Sequence, residues 1–101
     1  MDKTILEVVH ESARDLHKAG VMDDITLREF DALCLSPVKQ YTPEQIRRIR
    51  QKTRTSQSVF AVYLNTSKYT VQKWEQGVKK PNGPSLKLLN IVDRNGLEVL
   101  A

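Results

Sequence analysis

The chain of 101 residues holds one cysteine, four glycines, four prolines and few aromatic side chains. A lone thiol cannot close an internal disulfide, and Cys34 has no C-x-x-C partner with which to bind zinc. In the context LCLSP it reads as a buried structural thiol. The scattered Gly and Pro leave no linker tract and no low-complexity region. No apolar run approaches the roughly 18 residues of a membrane span. The N-terminus MDKTILEVVHES lacks the basic-then-apolar order of a signal peptide, so a cytoplasmic protein without a membrane partner is expected. His10 and His17 stand seven apart and share a helix face, with no H-E-x-x-H spacing. Neither a G-x-S-x-G elbow nor a phosphate loop is present. The expectation is no catalytic residue, no metal and no cofactor.

What is present is ordinary in amount and uneven in distribution. With 40% apolar and 28% charged residues the composition is that of one globular domain. Residues 1–38 carry four basic and eight acidic side chains, net −4, whereas residues 39–80 carry ten basic and two acidic, net +8. The last block, residues 81–101, is neutral. A basic block on an otherwise neutral chain points to a polyanion, because each phosphate that a Lys or Arg neutralises releases condensed counterions.

The periodicity is helical throughout. Ile5, Val8, Val9, Leu16 and Ala19 fall near helical spacing over residues 3–19, with Gly20 as C-cap. Thr26 and Glu29 fit a capping box opening a short helix over 27–33, with a brief strand at ITLREF the competing reading. SPVKQYTP then interrupts the pattern at Pro37. Thr42 as N-cap, Pro43 at the first helical position and Gln45 at the third open the next helix, TPEQIRRIRQKT, with Ile46 and Ile49 inward and Arg47, Arg48, Arg50 and Lys52 mostly outward. Thr55 or Ser56 caps SQSVFAVYL, Thr66 or Ser67 caps SKYTVQKWEQ, and Pro84 opens PSLKLLNIVDR, closed by Asn95-Gly96. Residues 1–38 thus read as an acidic helical extension and residues 39–101 as a small all-α module.

Two of these helices stand only a few residues apart, and a tight crossing needs a small residue where they meet. Ala61 occupies that place. Phe60 and Leu64 before the turn, and Val71 and Trp74 after it, would close the core between them, while Asn65 tolerates the left-handed turn position. In such a helix-turn-helix the second helix enters the major groove with its N-terminal side chains facing base edges. Ser67, Lys68, Tyr69, Gln72 and Lys73 are the expected base contacts. Gln57, Ser58, Thr70, Lys79 and Lys80 are the expected phosphate contacts.

The run SQSVFAVYLNTSKYTVQKWEQGVKKPNGPSLKLLNIV resembles the helix-turn-helix domain of lambda-repressor-like, or Cro/C1, regulators. VQKWEQGVKKPNGPSLKLL looks like the variant found in HigA-type antitoxins. The resemblance covers roughly residues 42–94, with Asn65 in place of the usual turn glycine and Thr66 where an apolar residue is common. It implies a dimeric repressor on a palindromic operator in double-stranded DNA, which neutralises a RelE-like or HigB-like ribonuclease toxin. Pairing also follows physically, since one short helix reads too few bases, and half-sites would lie about 34 Å apart or a multiple of that. The last helix and the tail GLEVLA carry apolar surface beyond one domain's need and are the expected homodimer contact. The acids Glu7, Glu11, Asp15, Asp23, Asp24 and Asp31 make the N-terminal extension the expected contact for a basic toxin, or a further part of the dimer. A stand-alone repressor and a protein-interaction adaptor are the competing readings.

Overall fold

A computed structural model describes residues 4–101, all helical or irregular in backbone, with no strand among them. The contacts divide the chain into two compact units, one ending at Pro37 and the other beginning at Val38.

The first unit is a helical hairpin. Helix α1, Ile5–Lys18, opens with a capping box in which Thr4 accepts from the Glu7 amide at 3.1 Å and the Glu7 carboxylate accepts from the Thr4 amide at 3.3 Å. Its chain leaves through Gly20 at φ +79°, as the terminator reading expects, although the cap itself is Ala19. Lys3, the first residue of the expected helix, lies outside the described residues. Helix α2, Asp24–Leu33, starts three residues earlier than the Thr26–Glu29 pattern predicts. The Asp23 carboxylate accepts from the Thr26 amide at 2.7 Å and takes the capping role, and the negative charges of Asp23 and Asp24 suit the positive end of the helix.

Three polar contacts tie the two helices. His10 pairs with Asp31 and His17 with Asp24, so the face that the histidines share is turned toward α2. The hydrogen bond from His10 holds the Asp31 carboxyl below the usual carboxylate range. Cys34 is half-buried rather than core, and its Sγ lies 3.4 Å from the Leu6 carbonyl. Ala13 alone is buried among the described residues of this unit. Ile5, Val8, Val9 and Leu16, which fall near helical spacing in the sequence, are exposed, because two short helices cover only one stripe of each other.

The second unit packs four helices and a closing turn around one core. Helix α3 runs Pro43–Lys52, α4 Gln57–Tyr63, α5 Lys68–Gln76 and α6 Gly83–Asn95, followed by a 3₁₀ turn at Leu97–Leu100. Each helix is capped by the side chain that precedes it: Thr42, with Gln45 completing the box, then Ser56, Ser67 and Asn82. Ile46, Phe60, Val71, Leu89 and Val92 are fully enclosed, at roughly 1.5–3 kcal/mol of transfer free energy each. Leu97 of the closing turn is buried in the same cluster and Leu100 packs against it. Of the tail's apolar residues, Leu97 and Leu100 contribute to the core of their own unit, while Val99 is exposed.

Polar ties finish the packing. Asn90, buried on α6, accepts from the Lys39 amide at 2.8 Å and donates to the Lys39 carbonyl at 3.0 Å, fixing the strand-like entry to α3. Lys52 and Tyr41 both donate to Asp93, at 2.9 Å each. Burial first, and then the bond to Asp93, push the Tyr41 phenol up to about 12.

Candidate nucleic-acid interface

The site is built on the turn between α4 and α5. Four residues, Leu64 to Ser67, join the two helices. The Thr66 amide reaches back to the Ala61 carbonyl at 2.9 Å and the Asn65 amide to Val62 at 3.1 Å, the paired bonds of a Schellman cap. That cap needs a left-handed residue, and Asn65 supplies it at φ 55°. Ala61 is buried at the crossing, and Phe60, Leu64, Val71 and Trp74 close the space between the helices, as their spacing implies.

Helix α5 then divides cleanly into two faces. Val71, Trp74 and Glu75 point into the core. On the other side Ser67, Lys68 and Tyr69 are exposed and Gln72 and Lys73 half-exposed. The Lys73 ammonium lies 4.8 Å from the centroid of the Tyr69 ring, a cation–π contact that orders both side chains on the outer surface. Ser67 is also the N-cap: its hydroxyl accepts from the Thr70 amide at 3.1 Å and shares a 2.9 Å hydrogen bond with the Thr70 hydroxyl. Both hydroxyls have structural duties before any ligand arrives.

The expected phosphate contacts fall in three places: half-exposed Thr70 on α5, the first turn of α4, and the loop after α5. Ser58 is exposed in the first turn of α4, beside a half-buried Gln57 whose Nε2 donates to Glu75 at 3.4 Å. Lys79 and Lys80 are exposed in the loop after Gly77, which ends α5 at φ +77°. The Val78 and Lys79 amides bond back to the Lys73 carbonyl, so the two lysines leave from an ordered turn.

The residue that sequence reasoning missed is Glu75. Its side chain is 3% exposed, and Arg50 grips it bidentately at 2.8 and 2.9 Å, with Arg47 at 3.6 Å from the same carboxylate. Arg50 also donates to the Thr55 carbonyl at 3.0 Å. Burial pushes the Glu75 carboxyl up, but the hydrogen bonds and charge of Arg50 outweigh it and hold the group below its ordinary value. This cluster locks α3, the start of α4 and α5 together, and so fixes the attitude of the outer face. The signal was in the sequence: Glu75 follows Val71 by four and adjoins Trp74, and Arg50 follows Ile46 by four, so both sit on inward faces. The structure corrects the outward placement of Arg50, which is turned into the protein. Arg47 and Lys52 also spend charge on Glu75 and Asp93, and the ten cations of the basic block are therefore not all available to a ligand.

No helix among the described residues is long and apolar enough to cross a membrane. Among the same residues no cluster of His, Cys, Asp and Glu could hold a metal ion.

The architecture is an all-α helix-turn-helix bundle with an N-terminal helical extension. No protein-family profile matches the chain. Over 54 residues it is 43% identical to a protein of Vibrio cholerae named Antitoxin HigA-2, a stretch covering 54% of this chain and 52% of that protein. The chain is thus similar to a HigA-type antitoxin, and it spans about half the length of the curated relative it matches.

Proposed function

We propose that this protein is the antitoxin of a toxin–antitoxin pair and that it represses its own operon by binding DNA through α5. The similarity to Antitoxin HigA-2 carries the antitoxin half of this reading. The outer face of α5, where Lys68, Tyr69, Gln72 and Lys73 stand together above a locked core, supports the DNA half. On this reading the chain is a cytoplasmic regulator rather than an enzyme. Ser67 and the four side chains of that face meet base edges in the major groove of a palindromic operator, and a homodimer presents two such faces. Gln57, Ser58, Thr70, Lys79 and Lys80 take phosphates, and counterion release from those contacts supplies most of the affinity. Residues 39–101 are the DNA-binding part. The acidic residues 1–38, with their exposed apolar stripe, take a basic RelE-like or HigB-like toxin.

The test has two arms. The reading frame next to this one is expressed in a bacterial host with and without this protein, and growth arrest relieved by co-expression is expected. Fluorescence anisotropy on the adjacent promoter should show affinity that falls with salt at a log–log slope of about −0.9 per phosphate neutralised. A harmless neighbour removes the antitoxin half. A flat salt response removes the DNA half and leaves a protein-interaction adaptor. A harmless neighbour together with salt-dependent DNA binding leaves a stand-alone repressor as the second reading.

A further inference from the structure

A recess opens on the second unit between the start of α3, the end of α5 and the start of α6. Its volume is about 460 Å³, within the range of small-molecule sites. Ile46, Trp74 and Leu86, all core residues, form its floor, with Tyr41, Pro43 and Pro81 as further apolar walls. Gly77 lines it as well, and a Cβ there would come within 3.2 Å of the Pro43 side chain, so glycine lets the two walls approach. The polar rim of the recess includes Lys79 and Lys80, both exposed and neither ion-paired with a carboxylate among the described residues. The Tyr41 hydroxyl, committed to Asp93, presents no competing donor.

We propose that this recess binds a small amphiphilic carboxylate, with its aromatic or aliphatic body on the Ile46–Trp74–Leu86 floor and its anionic end between Lys79 and Lys80, and that the occupied protein releases DNA. The charge argument selects the class: apolar walls reward a hydrocarbon body, and two lining lysines with no carboxylate partner among the described residues reward a negative end. The compactness of the hollow favours a free small molecule over an extended peptide. Release follows because a carboxylate seated at both ammonium groups neutralises the charge a phosphate would meet and repels that phosphate. That second half rests on the phosphate-gripping role of Lys79 and Lys80 proposed above, whereas the binding itself does not.

The full chain is titrated without DNA by amide-resolved NMR, with 4-phenylbutyrate and with its neutral counterpart 4-phenylbutanamide as probes. Saturable shifts centred on Gly77, Lys79, Lys80 and Leu86 are expected, with the carboxylate bound about tenfold more tightly. The double variant Lys79→Ala, Lys80→Ala should erase that preference while its spectrum stays that of a folded protein. Shifts centred elsewhere, or no saturation by either probe, overturn the site. Equal binding of the two probes overturns the carboxylate assignment and points to an apolar segment of a partner protein as the occupant. In a second arm, 4-phenylbutyrate is added to the protein on its DNA, and about a tenfold saturable loss of affinity is expected. Binding at the recess with DNA affinity unchanged sinks the release mechanism alone. If the protein binds no DNA, the proposed function fails while the first arm still decides the site.

Discussion

Replacing Glu75 with glutamine keeps the shape of the side chain and removes its charge from beneath two arginines. The carboxylate is 3% exposed and Arg50 is 16% exposed, so the variant leaves a mostly buried guanidinium without its counter-ion. Breaking a buried pair from one side costs about 3–5 kcal/mol. Glutamine still offers Arg50 one acceptor and Arg50 still touches water, so a loss of about 2–3 kcal/mol is expected. At roughly 0.05–0.15 kcal/mol per residue a unit of this size holds about 3–10 kcal/mol in all, so the loss is a large fraction of the total. Urea unfolding measured by the fluorescence of Trp74, the single tryptophan, reads it directly. The dependence on pH supplies an internal check. The Glu75 carboxyl is held below its ordinary value of 4.5 in the folded protein, so its contribution is complete above that value and lost as pH falls through the lower folded value. The gap between the wild type and Glu75→Gln should therefore be steady at neutral pH and close as the solution is acidified below about 4.5. Pairing Glu75→Leu with Arg50→Met should recover most of the loss, because an apolar pair incurs no desolvation penalty. A variant within about 0.5 kcal/mol of wild type at neutral pH, the size of an ordinary surface change, or a gap indifferent to acid, would refute the role given to this cluster.

Trp74→Ala should destabilise the second unit by about 3–5 kcal/mol in the same unfolding assay read by circular dichroism, and unchanged stability would place the ring outside the core. Asn65→Ala should cost about 1–2 kcal/mol while Asn65→Gly is near neutral, because only the former strains the left-handed turn; the reverse order would show that the Asn65 side chain, not its backbone, matters. Lys68→Ala should cost about 1–3 kcal/mol on the operator and relax preference at one base, whereas Lys79→Ala should weaken all DNA alike and lower the salt slope by about one. Identical behaviour of the two variants would undo the division into base and phosphate contacts. Alkaline difference absorbance should show one tyrosine, Tyr41, ionising near 12, and its replacement by Phe should remove that step.

The second unit was legible in detail where local rules decide the outcome. Thr42, Pro43 and Gln45 occupy the three places a helix start assigns them, and Asn65 takes the left-handed position, because caps and turns depend on a few adjacent residues. The reading failed where two good local answers competed or where a distant partner decided. At α2, Asp23 and Thr26 are both competent caps, and a sequence offers no way to see which one the backbone uses. Glu75 was passed over because a carboxylate at a core position is intelligible only once Arg50, on another helix, is placed beside it. In α1 the helical period was right, yet Ile5, Val9 and Leu16 are exposed, and periodicity alone does not say what covers an apolar stripe.

The two-faced character of α5 has a consequence for how this protein could change over time. Val71, Trp74 and Glu75 anchor the helix to the core and Ser67 with Thr70 caps it, while Lys68 and Gln72 have no side-chain bond among the described residues that their replacement would break. Drift at Lys68 and Gln72 leaves foldedness alone. On the proposed DNA-reading role, sibling systems would diverge at Lys68 and Gln72 to address separate operators on one unchanged scaffold, and an engineer could rewrite those positions without first stabilising the protein.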